Sequence, residues 1–167
     1  MRTVRCLFGL AVALLLTGSI NVWGQLPSNE LEGTWKMVSQ ELVYPDSVVD
    51  QSDDWGPSYK ILNSTHFAWG RETKNGETVL AGGGRYEYYP ERNVYIEHIQ
   101  YHSDTGLDGV TLRFKARVEG DTWYHIGDIG SYKLREVWKR VDAKKVRAEL
   151  RGDTTSARPE TAGSSEQ

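Results

Sequence analysis

The chain has 167 residues, 26% of them charged, and a formal net charge of −3. No basic cluster interrupts that mild acidity, which argues against nucleic acid or anionic lipid as the partner. Cys6 is its one cysteine, so neither an internal disulfide nor a cysteine metal cluster is available.

In chain order, residues 1–24 read as a signal peptide. Arg2 and Arg5 make a short basic start, and residues 7–16 form an almost unbroken apolar run. That run is shorter than the roughly 20 residues a spanning helix needs. Small and polar residues follow, ending in Val22-Trp23-Gly24, a cleavage signal before Gln25. The expected mature chain has 143 residues, a charge of −5 and a periplasmic or secreted destination. Cys6 lies ahead of the apolar run and so not where a lipid anchor is attached.

Residues 25–30 read as a linker, residues 31–141 as the folded domain and residues 142–167 as a largely disordered tail. Within the domain, strand-like segments are expected at 34–43, 60–62, 66–71, 85–89, 94–102, 111–119, 122–126 and 131–141. The sixth segment, 111–119, is typical: Leu112, Phe114, Ala116 and Val118 alternate with Thr111, Arg113, Lys115 and Arg117, the period-two signature of a half-buried strand. Glu119-Gly120-Asp121 marks a hairpin. About eight short strands at this spacing predict an all-β fold, a single small antiparallel β-barrel or a related sandwich. The long connection 44–57, with Asp46, Asp50, Asp53 and Asp54, either covers a barrel mouth or is a solvated loop. Residues 143–151 have the makings of one or two helical turns, and the Ser, Thr, Gly and Pro content beyond them predicts disorder.

Short motifs scattered over 31–141 carry a family resemblance: Gly33-Thr34-Trp35, Thr65-His66-Phe67-Ala68-Trp69, Ala81-Gly82-Gly83-Gly84 followed by Tyr86, Glu97-His98-Ile99, Gly120-Asp121-Thr122-Trp123 and Glu136-Val137-Trp138-Lys139-Arg140. In this order they resemble the lipocalin-like (calycin) domain of uncharacterised secreted bacterial proteins. The resemblance implies a lipocalin-like barrel in which Gly33, Trp35 and Arg140 are structural, Trp35 plugging the closed end and Arg140 packed across its indole. It implies no particular activity.

Strand parity gives a candidate interior of Trp35, Met37, Phe67, Trp69, Tyr86, Tyr88, Tyr95, Glu97, Ile99, Tyr101, Leu112, Phe114, Trp123, His125, Leu134, Glu136 and Trp138. A slip of one residue would exchange Glu97 for His98. Acidic groups and a histidine among aromatics are kept inside a barrel only when paired or used. Three roles follow. The first is a binding module for a small, partly apolar ligand, its pocket lined by Trp69, Tyr86, Tyr88, Glu97, Trp123, His125 and Glu136. The second is a structural or interaction protein with a filled barrel, and the third an enzyme using Glu97, His125 and Glu136.

Metal and cofactor chemistry has little footing. His98 and His102 are four residues apart on a strand, about 13 Å, too far to share one ion bound at about 2 Å. Haem ligation by His125 or His98, as in some small calycin barrels, has no specific support, so no cofactor is expected. Gly82-Gly83-Gly84 lacks the residues and context of a phosphate loop and reads as relief of crowding or a strand bend. Asp104-Thr105-Gly106 reads as a turn, and Asn63-Ser64-Thr65 as a turn rather than a glycosylation site. No protein partner is specified.

Overall fold

A computed structural model describes residues 29–153; the expected signal peptide, most of the linker and the end of the tail lie outside the described residues. The strands are β1 (Gly33–Val43), β2 (Val48–Asp50), β3 (Trp55–Leu62), β4 (His66–Thr73), β5 (Val79–Tyr89), β6 (Val94–His102), β7 (Thr111–Glu119), β8 (Thr122–Ile129) and β9 (Tyr132–Arg140), followed by the helix α1 (Ala143–Arg151). Each long strand pairs antiparallel with the next, and β9 returns to β1 from Trp35↔Arg140 to Val43↔Lys133. Eight strands therefore form a closed antiparallel barrel, which leaves no long edge open to pairing. The short β2 pairs with the end of β1 outside that ring.

Tight turns fit the sequence. Gly120 and Gly130 take positive φ at the β7–β8 and β8–β9 hairpins, where a Cβ would be strained. Asp104 accepts the backbone N–H of Gly106 and starts a single 3-10 turn at Thr105–Leu107. In α1, Asp142 accepts from the N–H groups of Lys144 and Lys145, and Gly152 ends the helix in the left-handed region. No side chain of α1 is buried, so the helix adds nothing to the core.

One end of the barrel is sealed. Leu31 and Trp35 are fully buried, and the Trp35 indole N–H donates to the Leu31 carbonyl at 2.8 Å. The Arg140 guanidinium lies 4.1 Å from the Trp35 ring centroid and donates to the carbonyls of Glu30 and Glu32. Gly33 permits this approach: its φ is +131°, and a Cβ there would stand 2.9 Å from Arg140 Nη1. At this plug Trp35, Tyr95, Trp123 and Trp138 pack with edge-on and stacked rings at 5.3–6.2 Å, separations that favour aromatic attraction. Burying each such side chain contributes about 1.5–3 kcal/mol.

Two bulges alter the expected parity. The β1–β9 register shifts between Met37 and Ser39, so Trp35 and Gln40, rather than Trp35 and Ser39, are buried. On β6 the register shifts beside Gln100. Tyr101, expected inside, is therefore turned out and half exposed, while His102 turns in against Trp69 at 5.2 Å between centroids. Glu97 remains inside, and His98 faces out to Glu87 at 2.7 Å. His98 and His102 thus lie on opposite faces of one strand.

The glycine run belongs to β5, which begins at Val79 rather than after the run. A Cβ on Gly84 would stand 2.0 Å from the His98 carbonyl oxygen, so the close β5–β6 approach at the bulge requires glycine. The connection 44–57 is partly a strand: Val48–Asp50 pairs with β1, and the acids at 46, 50, 53 and 54 are exposed.

Candidate functional site

Alternation along the strands stacks the interior in levels, with the sealed half filled by aromatic rings. The other half holds a cavity of about 310 Å³, bounded by Met37, Leu42, Ile99, Leu112, Ile129 and Leu134 and by the polar groups Gln40, Lys60, Arg71, Glu97, His102, His125 and Glu136. Gln51, Ser103, Asp104 and Tyr132 also contribute to the lining; the first three come from connections and Tyr132 from the start of β9, at the end of the barrel opposite Trp35. From the β1–β3 connection Gln51 reaches the cavity lining, while its acids are exposed to solvent.

Two buried polar assemblies occupy the wall and floor. In the first, Lys60 Nζ lies 2.9 Å from Glu97 Oε1, both side chains 6% exposed or less. The ammonium is surrounded by the rings of Phe67, Tyr95, Trp123 and Trp138 at 5.2–5.8 Å from their centroids, within cation–π range. In the second, Glu136 Oε2 accepts from His125 Nδ1 at 2.9 Å and from the Trp138 indole at 3.0 Å, while Oε1 accepts from Gln40 Nε2 at 2.9 Å. Gln40 Oε1 in turn accepts from Arg71 Nη1 at 2.7 Å. The bulge in β1 makes this relay by carrying Gln40 inward.

The protonation states follow from these contacts. Burial by itself raises the Glu136 pKa, but the His125 hydrogen bond and the Lys60 charge outweigh it and hold the carboxyl at about 2. Burial, helped by Lys60, lowers the His125 pKa below its ordinary 6.5, against the pull of Glu136. At neutral pH the imidazole is therefore neutral: Nδ1–H serves Glu136, and Nε2 carries a bare lone pair. Nε2 is buried without a partner. A carboxylate so fully bonded and so acidic is a poor proton shuttle near neutrality, where general acid–base catalysis needs a pKa close to the working pH.

Of the residues singled out from sequence, Trp69, Glu97, His125 and Glu136 meet at the cavity. Tyr86, Tyr88 and Trp123 are not part of its lining. Tyr86 donates to the Asn63 carbonyl and accepts from Asn29, Tyr88 donates to Glu30, and Trp123 packs between Trp35 and Trp138 in the filled half. Sequence reasoning missed Gln40, Lys60, Arg71 and His102. Lys60 had a legible signal: it shares parity with Leu62, which faces the core, while Tyr59 and Ile61 between them are exposed.

Among the described residues, no three His, Cys, Asp or Glu side chains converge in a metal-binding group. Among the same residues, no helix is long and apolar enough to cross a membrane. The sequence matches no family model and no curated protein.

Proposed function

We propose that this protein is an exported, lipocalin-like binding module that holds a small, partly apolar molecule in the open half of its barrel. The observation that carries the reading is the cavity itself: about 310 Å³, apolar over much of its wall, with a few fixed polar groups at one side. Small-molecule sites have this composition and run from about 300 Å³ upward, so the size points to a ligand smaller than the lipids of wide barrels. A purely structural barrel has no need to keep one half empty when the other is packed with indoles. The Lys60–Glu97 pair and the Glu136 relay brace the wall and fix its polar groups in advance, which limits the ordering cost of binding. Membership of the lipocalin-like family is part of this proposal, supported by the motif order and by a closed eight-strand antiparallel barrel. Export is supported by the pattern of residues 1–24.

Leu112→Trp tests the site. The indole is expected to fill the cavity, lowering the affinity for 1-octanol at least about tenfold by calorimetry while circular dichroism stays that of a β-barrel. Equal octanol binding by both proteins, or none by either, would show that the cavity is not where apolar molecules are held.

A further inference from the structure

Arg71 is the guanidinium that lines the cavity, and among the described residues no carboxylate pairs with it directly. Arg71 lies on the inward face of β4, its guanidinium 3.9 Å from the Trp55 ring centroid and 5.6 Å from that of Trp69. Nη1 donates to Gln40, and Nε is buried with no acceptor at all. Of the carboxylates that line the cavity, Asp104 is exposed and accepts the Gly106 N–H, and the two buried ones are already committed. Glu97 is held by Lys60, and both oxygens of Glu136 are occupied by Gln40, His125 and Trp138. Gln40 sits between Arg71 and Glu136 and presents its oxygen to one and its nitrogen to the other, so it relays the two charges without letting them meet.

A guanidinium remains charged at any working pH and carries a planar fork of donors. The Trp55 ring against the guanidinium, with Trp69 farther off, restricts that fork and shields it in part from water. Donors held in this way, beside an apolar cavity and without a direct ion-pair partner, match a carboxylate, which accepts two parallel hydrogen bonds from one guanidinium. The leucines and isoleucine at positions 42, 80, 112, 129 and 134 then supply the apolar contact for the rest of the molecule.

Building on the ligand-binding reading above, we propose that the natural ligand is an organic carboxylate whose anionic head is clamped by Arg71 and whose apolar body fills the cavity. Lys60 is not the anchor, because Glu97 neutralises it within the wall. The neutral His125 lies deeper and offers an acceptor, which further disfavours a second anion there.

Octanoate and 1-octanol, alike in chain length and different in head group, separate this proposal from the reading it rests on. Calorimetric titration of the mature protein at pH 7 is expected to show octanoate binding at least about tenfold more tightly than octanol. Arg71→Met is expected to weaken octanoate by about ten- to a hundredfold, the loss of hydrogen bonds to a charged group, and to leave octanol within about twofold. Unchanged octanol binding also reports that the variant's cavity is intact. Arg71→Lys, which keeps the charge without the fork, is expected to fall between the two. If octanol binds as tightly as octanoate, or if Arg71→Met weakens both equally, the anion clamp is wrong and the apolar cavity stands. If neither compound binds, the ligand-binding reading fails and takes the clamp with it.

Discussion

Replacing Glu97 by alanine is expected to destabilise the barrel by about 3–5 kcal/mol, whereas the double change Lys60→Met with Glu97→Leu is expected to recover most of that loss. The reasoning turns on burial. Both charged side chains are 6% exposed or less, and they are 2.9 Å apart. The truncation strands an ammonium among four aromatic rings, whose attraction offsets only part of its lost hydration. Removing both charges and filling the space with apolar side chains removes the desolvation cost together with the attraction, a trade that is often neutral or stabilising. Urea unfolding at pH 7 checks this: the single variant's midpoint falls steeply at unchanged slope, and the double variant's midpoint returns close to that of the native protein. A cost below about 1 kcal/mol for Glu97→Ala would mean that Lys60 reaches water and that the wall is not sealed.

Acid should weaken the fold in two stages, and Glu136 governs the one at lower pH. Its carboxyl titrates at about 2 in the folded protein against an ordinary 4.5. Above pH 4.5 the carboxyl is ionised in both states, and the full stabilisation is present. As the pH falls from 4.5 toward 2, the unfolded chain takes up the proton first, and stability is lost through that window. The total is about 3 kcal/mol, of which about 2 kcal/mol is gone by pH 3. His125 acts earlier with the same sign. Its folded pKa is lowered, so the unfolded chain gains a proton below 6.5 that the folded imidazole refuses, and stability begins to fall there. Unfolding measured at pH 7.5, 5.5 and 3 therefore shows a decline at each step. Glu136→Gln is less stable at pH 7.5 and loses about 2 kcal/mol less than the native protein between pH 5.5 and 3. Parallel pH curves for the two proteins would remove Glu136 from the account of acid sensitivity.

How much of this was legible in the sequence depended on whether period-two alternation ran unbroken. On β7 it did, and on β6 it did as far as Ile99; the bounds 94–102 and 111–119 agree with the strands observed. Glu97, His125 and Glu136 were placed inside by parity alone, and they are buried. Alternation failed where one extra residue entered a strand. The bulge after Met37 brought in Gln40, and the one beside Gln100 exchanged Tyr101 for His102; neither position carries a proline or glycine of its own to announce it. Gly84 marks the second bulge only from the neighbouring strand, through the space its missing Cβ leaves.

Charged side chains were hidden for another reason. Lys60 and Arg71 lie on inward positions of β3 and β4, but a lysine or arginine near a strand end reads by default as solvated. Only the company they keep inside, a carboxylate for one and two indoles for the other, explains their burial. Glu97 lies 37 residues from Lys60 in sequence, and Trp55 reaches Arg71 from the neighbouring strand, so the alternation within one strand does not show either contact. The three-residue β2 was equally silent, since all its side chains are exposed.

The central claim, that the open half of the barrel holds a small molecule, is tested most directly by native mass spectrometry of the protein purified gently from its own source. The expected spectrum shows one reproducible added mass that is lost on denaturation, and the released compound carries a carboxyl group. An unadorned protein mass under native conditions, together with no change in melting temperature when small apolar acids and alcohols are added, would contradict it and leave a barrel that works through its surface.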